Sequence, residues 1–149
     1  MDSSERSLIN VLNRDHQHIA DLLQQLCAVR DADERRRLAD ELAGRLIRHA
    51  AAEDRYLYPA VRAMVLAGAA NVTLETNAHD QINRLLAELE GTEASSCRFD
   101  ALITKLVCAV HREMLHEELD VFPRLADYAG ERTLIALGDQ VRAFEDTRP

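Results

Sequence analysis

The chain has no tryptophan, only 4% aromatic residues, 5 glycines and 3 prolines in 149 residues. So few turn-forming residues argue against a fold of many short strands joined by tight turns. Its three cysteines, Cys27, Cys97 and Cys108, are odd in number and lack any C-x2-C spacing. That excludes a disulfide framework and a closely spaced thiolate metal or redox motif. We read them as reduced thiols, with Cys27 and Cys108 as small core residues and Cys97 near a loop. No run of about 18 apolar residues occurs, and the first residues do not place an apolar core behind a basic region. A membrane span and a secretory leader are therefore not expected, and a cytoplasmic location is. Positive charge is also short: 18 basic against 26 acidic residues give a formal charge of -8. Nucleic acid and anionic membranes need a basic footprint and are not expected as partners.

What is abundant is Ala, Leu, Glu and Arg, the strong helix formers, within a composition that is 47% hydrophobic. The composition predicts an all-α protein, and its length suits a single domain spanning residues 1–149. Leu8, Leu12, Ile19, Leu23 and Leu26 mark the buried stripe of a first helix over about residues 4–29. Asp31, with Glu34 placed for a capping box, opens a second helix whose stripe of Leu38, Leu42, Leu46, Leu57 and Val61 is interrupted by Pro59. Residues 67–71 read as a connection, and a third helix follows from about Val72 to Glu90, with Gly91 ending it. Ser95 or Ser96 caps a fourth helix, whose stripe of Phe99, Leu102, Leu106 and Val110 runs on toward Val121 and Pro123. After Gly130, residues Leu134, Leu137, Val141 and Phe144 predict a shorter fifth helix. The expected architecture is an antiparallel up-down four-helix bundle with a short additional C-terminal helix.

Ionisable side chains interrupt every one of the four apolar stripes. They are His16, preceded by Asp15; His49 and Glu53; Glu75 and His79; and Glu113 and Glu117. A core tolerates such groups only when they are paired or bind a metal. At about 100° per residue, Glu117 falls about 40° from Glu113, close to Leu106 at about 20° and Val110 at about 60°. Both glutamates therefore face the core. His111 and His116 fall at about 160° and about -60°, on the flanks of that stripe. Residues three or four apart on one helix reach the same metal pair, and bundle cores collect such ligands from facing helices. Imidazole mixed with several carboxylates suits two iron ions better than a closed tetrahedral zinc; manganese is also compatible. Asp15 is placed to orient a histidine. Tyr56, one turn after Glu53, is read as packing near Pro59 or as a hydrogen-bond partner in the site.

The segments DHQHIADLL, HAAAEDRYLYP, ETNAHDQINRLLAEL and EMLHEELDVFP together resemble the hemerythrin-like family of HHE cation-binding domains. The resemblance covers the chain up to about Leu125. It implies a four-helix bundle with a non-haem di-iron centre, ligated by His16, His49 and His79 and bridged by Glu53 and Glu117. It also implies binding or reduction of a small molecule such as oxygen, peroxide or nitric oxide, with no protein partner specified. Two positions depart from the oxygen-carrier pattern, which has histidine where this chain has Glu75 and Glu113. If both bind, hard anionic oxygens favour the ferric state, and the site is expected to oxidise readily rather than carry oxygen reversibly. In the alternative arrangement Glu75 or Glu113 lies outside the coordination shell. A metal- or redox-responsive regulatory module and an iron-handling protein remain the competing functional classes.

Overall fold

A computed structural model describes residues 2–147. Its helices are α1 (Leu8–Ala28), α2 (Ala32–Ala52), α3 (Tyr58–Met64), α4 (Gly68–Glu90), α5 (Cys97–His116), α6 (Phe122–Tyr128) and α7 (Glu131–Asp146). No strand occurs among the described residues. The long helices α1, α2, α4 and α5 form the bundle, with α3 and α6 continuing α2 and α5. The fold is the predicted all-α bundle, and α7 is the expected extra helix, lying against α1 and α2.

Local chemistry sets the helix ends. Ser7, Asp31 and Ser96 each accept a backbone N–H of the first turn they cap, from Asn10, Glu34 and Phe99. Two boundaries differ from expectation. The first helix starts at Leu8 rather than near residue 4, because Ser7 takes the cap and Ser4–Arg6 form a separate 3-10 turn. The third long helix starts at Gly68 rather than Val72. Gly68 sits so close to α3 that a Cβ there would overlap the Val61 carbonyl, and Ala67 enters the helix from the left-handed region at φ 59°.

Pro59 and Pro123 do not end their helices. In each case a five-residue π turn precedes the proline, Glu53–Leu57 and Glu117–Val121, and the helix resumes with proline in its first turn. Tyr58 N–H bonds the Glu53 carbonyl and Phe122 N–H bonds the Glu117 carbonyl, five residues back. The widened turn absorbs the carbonyl that the proline ring would otherwise meet.

The core is split in two. One apolar cluster is built around Ile19, Leu23, Leu42, Phe99 and Leu106, and the other around Leu12, Leu57, Tyr58, Phe122 and Leu125. His16, His49, Glu75, His79 and Glu117 fall in sequence between the members of these two clusters, and Glu53 and Glu113 lie one residue from that changeover. Cys27 and Cys108 are exposed, like Cys97, which corrects their expected core placement. Both lie off the apolar stripes of α1 and α5, so their small size did not put them inside.

Candidate metal centre

All seven ionisable stripe residues are buried: His16 1%, His49 4%, Glu53 0%, Glu75 1%, His79 8%, Glu113 6% and Glu117 0% exposed. Glu75 and Glu113 are thus withdrawn from solvent along with the other five. The ligand atoms gather into overlapping clusters whose members lie within 4.8 Å of one another. His16, His49, Glu53 and Glu117 make one; Glu53, His79 and Glu113 a second; Glu75, Glu113 and Glu117 a third. Glu53 and Glu117 each join the first cluster to another. Both open a π turn, the kind of helix irregularity that recurs at functional sites.

His16 and His49 are aimed by their outer nitrogens, whereas His79 Nδ1 is buried with no hydrogen-bond partner among the described residues. His16 Nδ1 meets Glu118 Oε1 at 3.0 Å and His49 Nδ1 meets Asp15 Oδ2 at 3.1 Å. Carboxylates behind imidazoles are the usual support of metal-binding histidines. The inner nitrogens converge, His16 Nε2 lying 3.2 Å from His49 Nε2 and 3.5 Å from Glu117 Oε1. His79 Nε2 lies 2.5 Å from Glu113 Oε1. Glu53 Oε1 is 2.5 Å from His49 Nε2 without hydrogen-bond alignment.

Glu53 Oε1, Glu75 Oε2 and both carboxylate oxygens of Glu117 are buried with no hydrogen-bond donor among the described residues. Buried acceptors are normally satisfied, and four orphans on three converging glutamates match what a hard cation supplies. The donor set, imidazole nitrogen and carboxylate oxygen, is compatible with iron, zinc or manganese.

The charge distribution follows from crowding. Burial, then the Glu53 charge, pushes Glu117 well above the usual carboxylate range. Burial also raises Glu75, to about 7, despite its bond to His116, and raises Glu113. Glu53 is the exception: burial opposes its charge, but His49 overcomes that and holds it below the ordinary range. Burial likewise opposes protonation of His79, yet its bond to Glu113 and the Glu53 charge raise it to about 9. His16 is lowered by burial and by the neighbouring His49 charge.

Three residues near the site were not assigned there from the sequence. Tyr58 is fully buried, and its hydroxyl donates to Glu53 Oε2 at 3.2 Å and lies 3.2 Å from His79 Nε2. Tyr56, the tyrosine considered instead, packs edge-on against Phe144 with ring centroids 5.8 Å apart. Glu118, just beyond the stripe residue Glu117, supports His16. His116, at the stripe's flank, is half-buried and bonds Glu75 through Nδ1, whereas His111 is exposed. Asp15 takes the supporting role expected of it.

A helical bundle whose core holds a layer of histidines and carboxylates defines a class of cation-binding domain. A family model, the hemerythrin HHE cation binding domain, matches residues 7–125, and the chain belongs to that family. In fold it is similar to the crystal structure of a hemerythrin HHE cation binding domain-containing protein from Mycobacterium kansasii. That similarity has a TM-score of 0.83 at 23% identity, covering 94% of this chain and 85% of the other. No curated protein matches it in sequence.

Proposed function

We propose that the seven buried residues hold two iron ions and that the centre binds or reduces a small oxidant. The observation that carries this reading is the overlap of the three clusters at Glu53 and Glu117, which gives two adjoining sites two shared carboxylates. His16 and His49 would serve one site, and Glu75, His79 and Glu113 the other. Bound there, iron would supply electrons and Lewis acidity toward the oxidant.

The protein's own part is selection, water exclusion and proton supply. Between α2 and α4 a cavity of about 10 Å³ touches His49, His79 and Glu113, with Leu46 and Ile82 among its walls. That is on the scale of one water-sized molecule, which favours oxygen, peroxide or nitric oxide over larger substrates. The apolar clusters above and below keep bulk water from the layer. Tyr58 holds a proton on its hydroxyl, kept there by burial and by the charge of Glu53, within reach of both Glu53 and His79. It is the residue placed to return a proton when an oxidant is reduced. Stopped-flow mixing of the reduced, iron-loaded protein with oxygen tests this. Rapid and irreversible oxidation is expected; a colour that persists and disappears on argon flushing would make the protein a carrier instead.

A regulatory role has one specific observation in its favour. Glu145 of α7 hydrogen-bonds Asp15, which bonds His49, so a change at the centre has a direct route to the C-terminal helix. Burial and that bond to Asp15 push Glu145 up to about 8.

A further inference from the structure

The seven residues of the layer are not equally buried. Glu53 and Glu117 are 0% exposed and His16 and Glu75 are 1%, whereas His49, Glu113 and His79 reach 4%, 6% and 8%. Those last three are the ones that line the small cavity between α2 and α4, so solvent comes nearest the layer from that side. A wider space lies further along the same seam. It is a groove of about 590 Å³, walled by Ala39, Ala43 and Ile47 of α2 and by Asn83, Leu86 and Ala87 of α4. The groove and the cavity have Asn83 in common. They also use consecutive residues of α2, Leu46 in the cavity and Ile47 in the groove.

Side-chain size keeps the seam open. Ala39, Ala43 and Ala50 follow one another by four and seven residues, so they share the face of α2 that lines these two spaces. A leucine in their place would fill the room an alanine leaves. His79 supplies an independent observation. It lines the cavity, and its Nδ1 is buried with no hydrogen-bond partner among the described residues. Buried ring nitrogens are normally paired, and a small hydrogen-bonding molecule in that cavity is what would pair this one. The opening where α1, α2 and α7 meet also reaches the layer, but of the seven residues it meets His49 alone, whose Nδ1 is taken by Asp15.

We propose that the small oxidant reaches the metal layer along the α2–α4 seam, entering by the groove and passing Asn83, whose side chain sets the size of what is admitted. The inference rests on the reading of the layer as a centre for a small oxidant. Asn83 is exposed and lies four residues after His79 on α4, one helical turn from it. Past Asn83 the path narrows to the cavity of about 10 Å³, with Leu46 and Ile82 on its walls. That constriction passes molecules the size of oxygen or hydrogen peroxide and holds back an alkyl hydroperoxide. Its apolar walls favour an uncharged oxidant, because a charged one would have to leave its hydration behind.

Two measurements test the proposal, and one of them needs no iron. In the full chelator-stripped chain under oxygen pressure, dissolved oxygen should relax the methyl protons of Leu46 and Ile82 more strongly than those of Leu22 and Val11, which are equally buried. Val11 lines the α1–α2–α7 opening and so reports on that competing route. Asn83→Phe should abolish the difference, and Ala43→Leu should do so independently in case the first variant folds poorly. In the reduced, iron-loaded chain, Asn83→Phe should slow oxidation by hydrogen peroxide about tenfold. Asn83→Ala should speed oxidation by tert-butyl hydroperoxide about tenfold without speeding the hydrogen peroxide reaction. Equal relaxation at all four residues, a difference that survives both blocking substitutions, or unchanged oxidation rates in the Asn83 variants would overturn the proposal and leave the function of the centre standing. An iron-loaded chain that no oxidant oxidises would overturn that function instead, and the relaxation pattern would still decide whether the seam admits oxygen.

Discussion

Tyr58 donates its hydroxyl to the carboxylate of Glu53, five residues before it on the same chain. In a regular helix residues five apart point about 140° away from each other. They meet here because the turn between them is a π turn. Tyr58→Phe removes that donor and leaves Glu53 Oε2 without it. Urea unfolding of the metal-free variant should show a loss of about 1–3 kcal/mol, the usual cost of an unsatisfied buried acceptor. The loaded variant should keep its metal and lose rate in its reaction with oxygen. An unchanged rate would remove Tyr58 from the proton supply.

In the metal-free protein the carboxylates of the layer govern how stability depends on pH. Glu75 is raised from 4.5 to about 7. The folded chain therefore holds a proton that the unfolded chain releases across that window, and stability falls as pH rises through it. His79, raised from 6.5 to about 9, acts in the same sense: its contribution is full below 6.5 and is lost as pH rises toward 9. The melting temperature of stripped protein should decline from pH 5 to pH 9, while the iron-loaded protein, whose ligands no longer need those protons, should hold steady. Parallel curves for the two forms would contradict a metal bound by these groups. Binding should also release protons, read from titrations in buffers of different ionisation enthalpy.

On α5 the burial pattern separates residues that look alike in sequence. Glu113→Ala should cost about one metal ion per chain, whereas His111→Ala, at an exposed position, should leave metal content unchanged. His116→Ala should leave both ions in place but weaken one by about 10–100-fold, because its Nδ1 positions Glu75. Competition with a chelator measures all three. Equal affinity in the wild type and His116→Ala would show that Glu75 needs no support.

Backbone geometry makes a prediction of its own at the α3–α4 junction. Ala67 adopts φ 59°, where a Cβ costs about 1 kcal/mol or more. Ala67→Gly should raise stability by roughly that amount in urea unfolding. Gly68→Ala should lower it, since the added Cβ meets the Val61 carbonyl.

The helices and the buried layer were legible because both are written in one period. Leucine stripes and ionisable interruptions recur at three and four residues, so His16, His49, Glu53, Glu75, His79, Glu113 and Glu117 could be assigned to the core before any coordinates. Tyr58, Glu118 and the contact of His116 with Glu75 were not legible. All three lie in or beside the two π turns, where counting 100° per residue fails. The only trace of those turns in the sequence is a proline six residues after each glutamate, which reads equally well as a helix end. Cys27 and Cys108 misled for another reason: a preference of residue type for burial was given more weight than their positions off the stripe.

The central claim is that Glu53 and Glu117 are shared between two adjoining metal sites. Anaerobic titration of stripped protein with ferrous iron, followed by elemental analysis and Mössbauer spectroscopy after oxidation, tests it most directly. The account predicts two irons per chain in the wild type with magnetically coupled ferric spectra, and loss of that coupling in Glu117→Ala. One iron per chain, or two that give uncoupled spectra indistinguishable from those of Glu117→Ala, would contradict it.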